Sequence, residues 1–142
     1  MAILAKIQTA AEKLGYETQL YPQSEEHPLE LLALTVGEDG EENKYLGITV
    51  YPLDEELEGS QFLQFFYEYP QKISGDQKER FRIRLSELNR LLPLGHFNFN
   101  EMENRIYFKY VLVLPNEKEV DLAFLNDLLD MCLFAISQRP SL

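Results

Sequence analysis

A single cysteine, Cys132, occurs in this chain, with only two histidines, His27 and His96, and no tryptophan. One cysteine excludes an intramolecular disulfide and any zinc site built on paired cysteines. It also agrees with a reducing compartment. The two histidines show no HExxH-type spacing, and neither GxGxxG nor GxxxxGK[ST] occurs, so no phosphate cradle is readable. No apolar run approaches the roughly 18 residues that would suggest a bilayer span. The opening Met1-Ala2-Ile3-Leu4-Ala5-Lys6 lacks the basic start and long apolar run of a secretory leader. A cytoplasmic protein without a membrane partner is expected. Positive charge is scarce as well. Thirteen Lys and Arg face 24 Asp and Glu, a net charge of −11, which repels nucleic-acid phosphates and anionic headgroups alike.

What is present is enough for a core. Apolar residues make up 45% of the 142 positions, with eight Tyr and nine Phe among them, far more than a disordered chain carries. A chain of this length buries roughly two-thirds of its unfolded surface as one domain, so residues 1–142 are read as a single unit. No repeat, low-complexity tract or long linker divides it.

Residues 2–14 predict an amphipathic helix. Ile3, Ile7, Ala10 and Leu14 recur at helical spacing, and Gly15 stands where a left-handed cap is wanted. Strands are predicted over Tyr16–Tyr21, Leu29–Val36, Tyr45–Tyr51 and Gln61–Tyr69, with a turn at Gly37–Asn43 and a loop at Pro52–Ser60. In the fourth strand Leu63, Phe65, Tyr67 and Tyr69 share one face, and Phe62, Gln64, Phe66 and Glu68 the other. Both faces are partly apolar, which suits an interior strand. A second helix is expected over Ser74–Leu92, opened by a Ser74/Gln77 or Asp76/Glu79 capping pair. Its stripe is Phe81, Leu85, Leu88 and Leu92, and Pro93 ends it. His96–Asn100 and Arg105–Leu114 predict a hairpin.

The last helix, 120–138, has an Asn116/Glu119 capping-box pattern, a Pro115/Val120 staple, Asp121 at its positive end, and Arg139 and Pro140 at its close. Leu122, Leu125, Leu129, Cys132, Leu133 and Ile136, continued by Phe124, Leu128, Met131 and Ala135, fill an arc of about 200°. A helix covering one sheet needs little more than about 100°. Such a helix should touch a second surface, either a neighbouring helix of its own chain or a second copy in a homodimer. Leu125, Leu129 and Phe134 are the expected self-association contacts. The order α-β-β-β-β-α-β-β-α predicts an α+β fold, an antiparallel sheet of about five or six strands with helices packed on it.

The chemical candidates are few. His27 sits in an acidic turn and His96 opens a strand, neither with a ligand at motif spacing. Cys132 falls on the apolar helix face, where no local cation lowers its pKa, and reads as a small core hydrophobe. Between Glu25 and Glu58, eleven carboxylates (Glu25, Glu26, Glu30, Glu38, Asp39, Glu41, Glu42, Asp54, Glu55, Glu56 and Glu58) face one lysine, Lys44. Calcium can use such loops, but Glu38–Asn43 lacks EF-hand spacing, and a solvated acidic surface is the simpler reading. In the second helix Lys78, Arg80, Arg82, Arg84 and Arg90 scatter around the axis, as in a solvated helix paired with acidic loops. No catalytic residue, metal ligand or cofactor is assigned.

The stretch Leu88-Asn-Arg-Leu-Leu-Pro-Leu-Gly-His-Phe-Asn-Phe-Asn100, followed by Glu103-Asn-Arg-Ile-Tyr-Phe-Lys-Tyr-Val-Leu-Val-Leu-Pro115, resembles the YbjN-like group. That group shares the fold of the type III secretion chaperones, and the order of elements is similar along nearly the whole chain. The resemblance implies an α+β protein that often dimerises and binds other polypeptides, with no catalytic residues to carry over. Type III secretion itself does not follow, because fold does not set function. The expected function is a non-enzymatic, chaperone-like or regulatory interaction module. Phe62, Phe66, Tyr67 and Tyr69 are its candidate partner contacts, and its acidic rim favours a polypeptide with a basic segment. The alternative is a small-ligand-binding protein or enzyme with a site assembled from distant residues.

Overall fold

The computed structural model describes residues 2–39, 42–116 and 119–138, with backbone alone at 38–39 and 42–43. Helix α1, Ile3–Lys13, buries Leu4, Ile7, Ala10 and Ala11. It stops at Gly15, whose φ of 101° is the left-handed conformation that a residue without Cβ adopts freely. Gly15 N–H donates to Glu12 O and Tyr16 N–H to Ala11 O, so the last carbonyls are satisfied in a Schellman arrangement.

Six strands follow: β1 Thr18–Tyr21, β2 Leu31–Asp39, β3 Glu42–Val50, β4 Ser60–Glu68, β5 His96–Asn100 and β6 Arg105–Pro115. Helix α2, Lys78–Asn89, lies between β4 and β5, and α3, Leu122–Ser137, ends the described chain. All neighbouring strands are antiparallel, in the order β1-β2-β3-β4-β6-β5. The expected α+β class and element order are therefore observed, and β4 is an interior strand between β3 and β6.

Strand parity divides the sheet into two faces. Leu32, Leu34, Leu46, Ile48, Leu63, Phe65, Tyr67, Phe97, Phe99, Ile106 and Phe108 point inward and join residues of all three helices in one core. The helices therefore cover one face of the sheet and leave the other open. Six-stranded sheets of this kind keep one solvated side when nothing crosses behind them.

Three local expectations are corrected. The turn expected at Gly37–Asn43 is mostly strand, because pairing continues to Asp39 opposite Glu42 after a bulge at Val36. Gly40 and Glu41 lie outside the described residues. Helix α2 begins at Lys78 rather than Ser74. A 3-10 turn, Gly75–Gln77, leads into it, with Gln77 N–H donating to Ser74 O at 3.0 Å and no side-chain cap. Helix α3 is capped by Asp121, whose carboxylate accepts from Phe124 N–H at 2.9 Å. Asn116 instead ties the end of β6 to the preceding loop, donating from Nδ2 to Glu58 O. Arg139 and Pro140 lie outside the described residues.

Candidate interaction surfaces

The open face is built from the residues of opposite parity. Its rows run Thr35–Tyr45, then Ala33–Gly47–Phe66–Lys109–His96, then Gln64–Val111, then Phe62–Val113. Aromatic and aliphatic side chains are interspersed there with the polar Thr35, Thr49, Gln64, Lys109 and His96. Phe66 stacks on Tyr107 with ring centroids 5.2 Å apart, and Phe62 meets Tyr51 edge-on at 6.5 Å. Tyr51 Oη donates to Gln64 Oε1 at 2.8 Å, which fixes its ring against the sheet. Tyr45 and Val113 remain 52% and 51% exposed. At the centre Gly47 contributes no side chain, and a groove of about 380 Å³ opens over it between Leu31, Tyr45, Thr49, Phe66 and Glu68.

The four expected partner contacts split between the two faces. Phe62 and Phe66 lie on the open face. Tyr67 and Tyr69 lie in the core, 3% and 6% exposed, with their rings edge-to-face at 4.9 Å. Tyr69 Oη also donates to the Ile136 carbonyl, joining the chain just past β4 to the last turn of α3. The side chains of these two tyrosines pack in the core, although Tyr67 also borders the groove over Gly47. The reason is geometric: successive strand residues alternate sides, so one strand cannot offer both sets to one surface.

The proposed self-association residues are corrected in the same way. Leu125 and Leu129 are 3% and 0% exposed within the chain's own core, while Phe134 is 47% exposed. Much of the wide apolar arc of α3 is covered by α1 and the sheet of the same chain. Its flanks, Leu122, Phe124 and Phe134, stay exposed.

Charge is distributed unevenly. The β1–β2 and β3–β4 connections lie at the same end of the sheet as the close of β6 and the start of α3. That brings Glu25, Glu26, Glu30, Asp54, Glu55, Glu56 and Glu58 to one end with Glu119 and Asp121. Lys6 reaches Glu119 at 3.7 Å. Glu38, Asp39 and Glu42 belong to the β2–β3 hairpin at the opposite end, so the acidic run of the sequence is two groups in space.

Under the acidic end, on the helical side, is a cavity of about 320 Å³. Ile7, Leu63, Phe65, Leu112, Leu114, Pro115, Val120, Phe124, Leu125 and Leu128 line it, with Glu119 and Asp121 as its charged side chains. Sequence inspection missed it. The Val120 and Leu128 signals were visible, but the enclosure comes from α1, β4, β6 and α3 meeting.

The remaining chemical candidates stay apart. His27 packs beside Tyr21 near one edge of the sheet, with ring centroids 5.8 Å apart. His96 opens β5 at the other edge, about 24 Å away by five strand spacings. Cys132 is fully buried, and burial pushes its thiol up to about 12. Lys78 and Arg82 lie over the Phe99 ring and pair with Glu101, so they satisfy a local turn rather than the acidic loops. The hydrogen bond from Arg82 holds the Glu101 carboxyl below its ordinary range. Among the described residues no three of His, Cys, Asp and Glu gather as a metal site, and no helix is long and apolar enough to cross a membrane. No protein-family model matches the chain, and no curated protein matches it either.

Proposed function

We propose that this chain is a non-enzymatic interaction module that binds another polypeptide on the open face of its sheet. The observation that carries the reading is the half-buried aromatic cluster of Phe62, Phe66 and Tyr107, with the exposed Tyr45 and Val113, on the sheet face that holds the groove over Gly47. Aromatic and aliphatic side chains grouped on an open sheet face are a common feature of interaction sites. The partner carries a basic segment. Phe62 and Val113 adjoin the end of the sheet where the acidic loops gather, and complementary charge steers and orients such an encounter. The resemblance to the YbjN-like group points the same way.

The test compares the intact protein with a Phe62→Ser, Phe66→Ser double variant in affinity capture from lysate of the source cells. A stoichiometric polypeptide retained by the first, absent with the second and released as salt rises is the expected result. Equal capture by both proteins overturns the assignment to this face. Sedimentation equilibrium of the purified chain supplies the other check. A mass of twice 16.6 kDa, lost in the double variant, gives the face to the homodimer expected from the sequence; a mass near 16.6 kDa removes that homodimer and leaves the face to another polypeptide.

A further inference from the structure

We infer that the cavity beneath the start of α3 seats a bulky apolar side chain from a Lys- or Arg-flanked stretch of a partner polypeptide. The inference rests on the reading of the protein as a polypeptide-binding module and adds a second contact, at the acidic end on the helical side of the sheet and distinct from the open face.

Protein interiors are close-packed, with few voids larger than a water molecule. The space of about 320 Å³ bordered by Leu63, Leu112, Leu114, Val120 and Leu128 is larger than such voids and opens to the surface. It lies within the size range of sites that enclose small ligands. Its walls offer dispersion contacts and no hydrogen-bond donors from side chains, which suits an aromatic or branched aliphatic group. Phe124, 46% exposed, stands among its lining residues.

Charge selects the occupant. The two polar side chains at the cavity, Glu119 and Asp121, are both acidic. Among the described residues that line the cavity, Asp121 accepts from Phe124 N–H and Glu119 lies 3.7 Å from Lys6, and no lining side chain is cationic. An anionic amphiphile is repelled by this end of the molecule, and a cationic one is drawn to it. The loops carrying Glu25, Glu30, Glu55 and Glu58 extend the negative field along the same end of the sheet. One ammonium group meets only the part of that field nearest the cavity. A run of basic residues on either side of an apolar anchor meets more of it, and this favours a polypeptide over a small amine.

The experiment is methyl NMR of the full chain titrated with acetylated, amidated Lys-Lys-Phe-Lys-Lys and with its twin containing Ala in place of Phe. The expected result is a shift of the Leu112, Leu114, Val120 and Leu128 methyls by the Phe peptide. Affinity should fall about tenfold or more for the Ala twin, and should weaken as sodium chloride rises from about 50 to about 300 mM. Val120→Phe, which fills the space, should abolish the response while the other methyl signals keep their positions. Absence of shifts at the cavity methyls overturns the inference, as does an unchanged response in Val120→Phe. Phenethylammonium binding the cavity as tightly as the peptide assigns it to small amines and overturns the polypeptide occupant. Shifts confined to the open face overturn the cavity seat alone and leave the proposed function to its own capture test.

Discussion

The side-chain amide of Asn89 grips the backbone of Phe97 at both ends. Nδ2 donates to the Phe97 carbonyl at 2.9 Å, and Oδ1 accepts from Phe97 N–H at 2.7 Å. Phe97 belongs to β5, an edge strand, and its neighbour Phe99 N–H is taken by Asn98 Oδ1 at 2.7 Å. Exposed edges recruit other strands, and natural sheets blunt them. Here the last residue of α2 closes the edge that its own loop leads into. Asn89→Ala should cost about 2 kcal/mol through the two lost bonds and free the edge for pairing. Chemical denaturation reads the first effect. Concentration-dependent light scattering reads the second, and a variant that stays monodisperse would show that the edge needs no such closure.

Gly95 is the hinge of the same connection. Its φ is 70°, and an added Cβ would stand 2.5 Å from Phe108 Cζ and 3.0 Å from the Lys109 carbonyl oxygen. Gly95→Ala combines a left-handed non-glycine residue with a clash against a fully buried ring. A loss of about 2–4 kcal/mol is expected. Gly59→Ala, at a position with open space around the added atom, is the control and should be nearly neutral.

Asp121 caps α3 in place of Asn116, the cap expected from the sequence. Asp121→Ala removes the acceptor for Phe124 N–H and should cost about 1 kcal/mol. Asn116→Ala removes a bond to Glu58 O and should loosen the β3–β4 loop instead. Hydrogen exchange distinguishes them, with Phe124 faster in the first variant and the loop 52–59 faster in the second.

Cys132 should be inert in the native protein. Its thiol is fully buried, with its pKa pushed up to about 12 by burial. Labelling by a thiol reagent at mild alkaline pH should therefore follow denaturant-induced unfolding and not precede it. The linkage has a definite sign. The folded pKa exceeds the ordinary value of 9.0, so the folded chain holds a proton that the unfolded chain releases. Stability from this group is intact below about pH 9 and declines toward about 12. The alkaline fall in stability should be shallower in Cys132→Ala than in the parent protein.

Much of the fold was legible because its signals are local. Helical spacing in 2–14 and 120–138, alternation in 61–69, and Gly15 after the first helix each act over a few residues. The Asn that ends α2 was also visible, but its hold on Phe97 was not, since that bond needs the chain to turn back at Gly95. The misplaced partner contacts have a sharper cause. Phe62 and Phe66 differ from Tyr67 and Tyr69 in parity, and parity in an extended strand means opposite faces. Which face receives the helices is decided by the core as a whole.

The sequence by itself determined the α+β class, the order of elements and the acidic balance, because periodicity and composition need no long-range contact. Tertiary structure alone decided which apolar surfaces remain open. Leu125 and Leu129 are buried because α1 and the sheet close over them, and Phe66 is left half-buried because the three described helices pack on the opposite face of β4. It also brought Glu30, Asp54 and Asp121 to one end, since antiparallel pairing places the β1–β2 and β3–β4 loops beside the close of β6. Burial and charge clustering depend on residues far apart in the chain, and only the register of the strands brings those residues together.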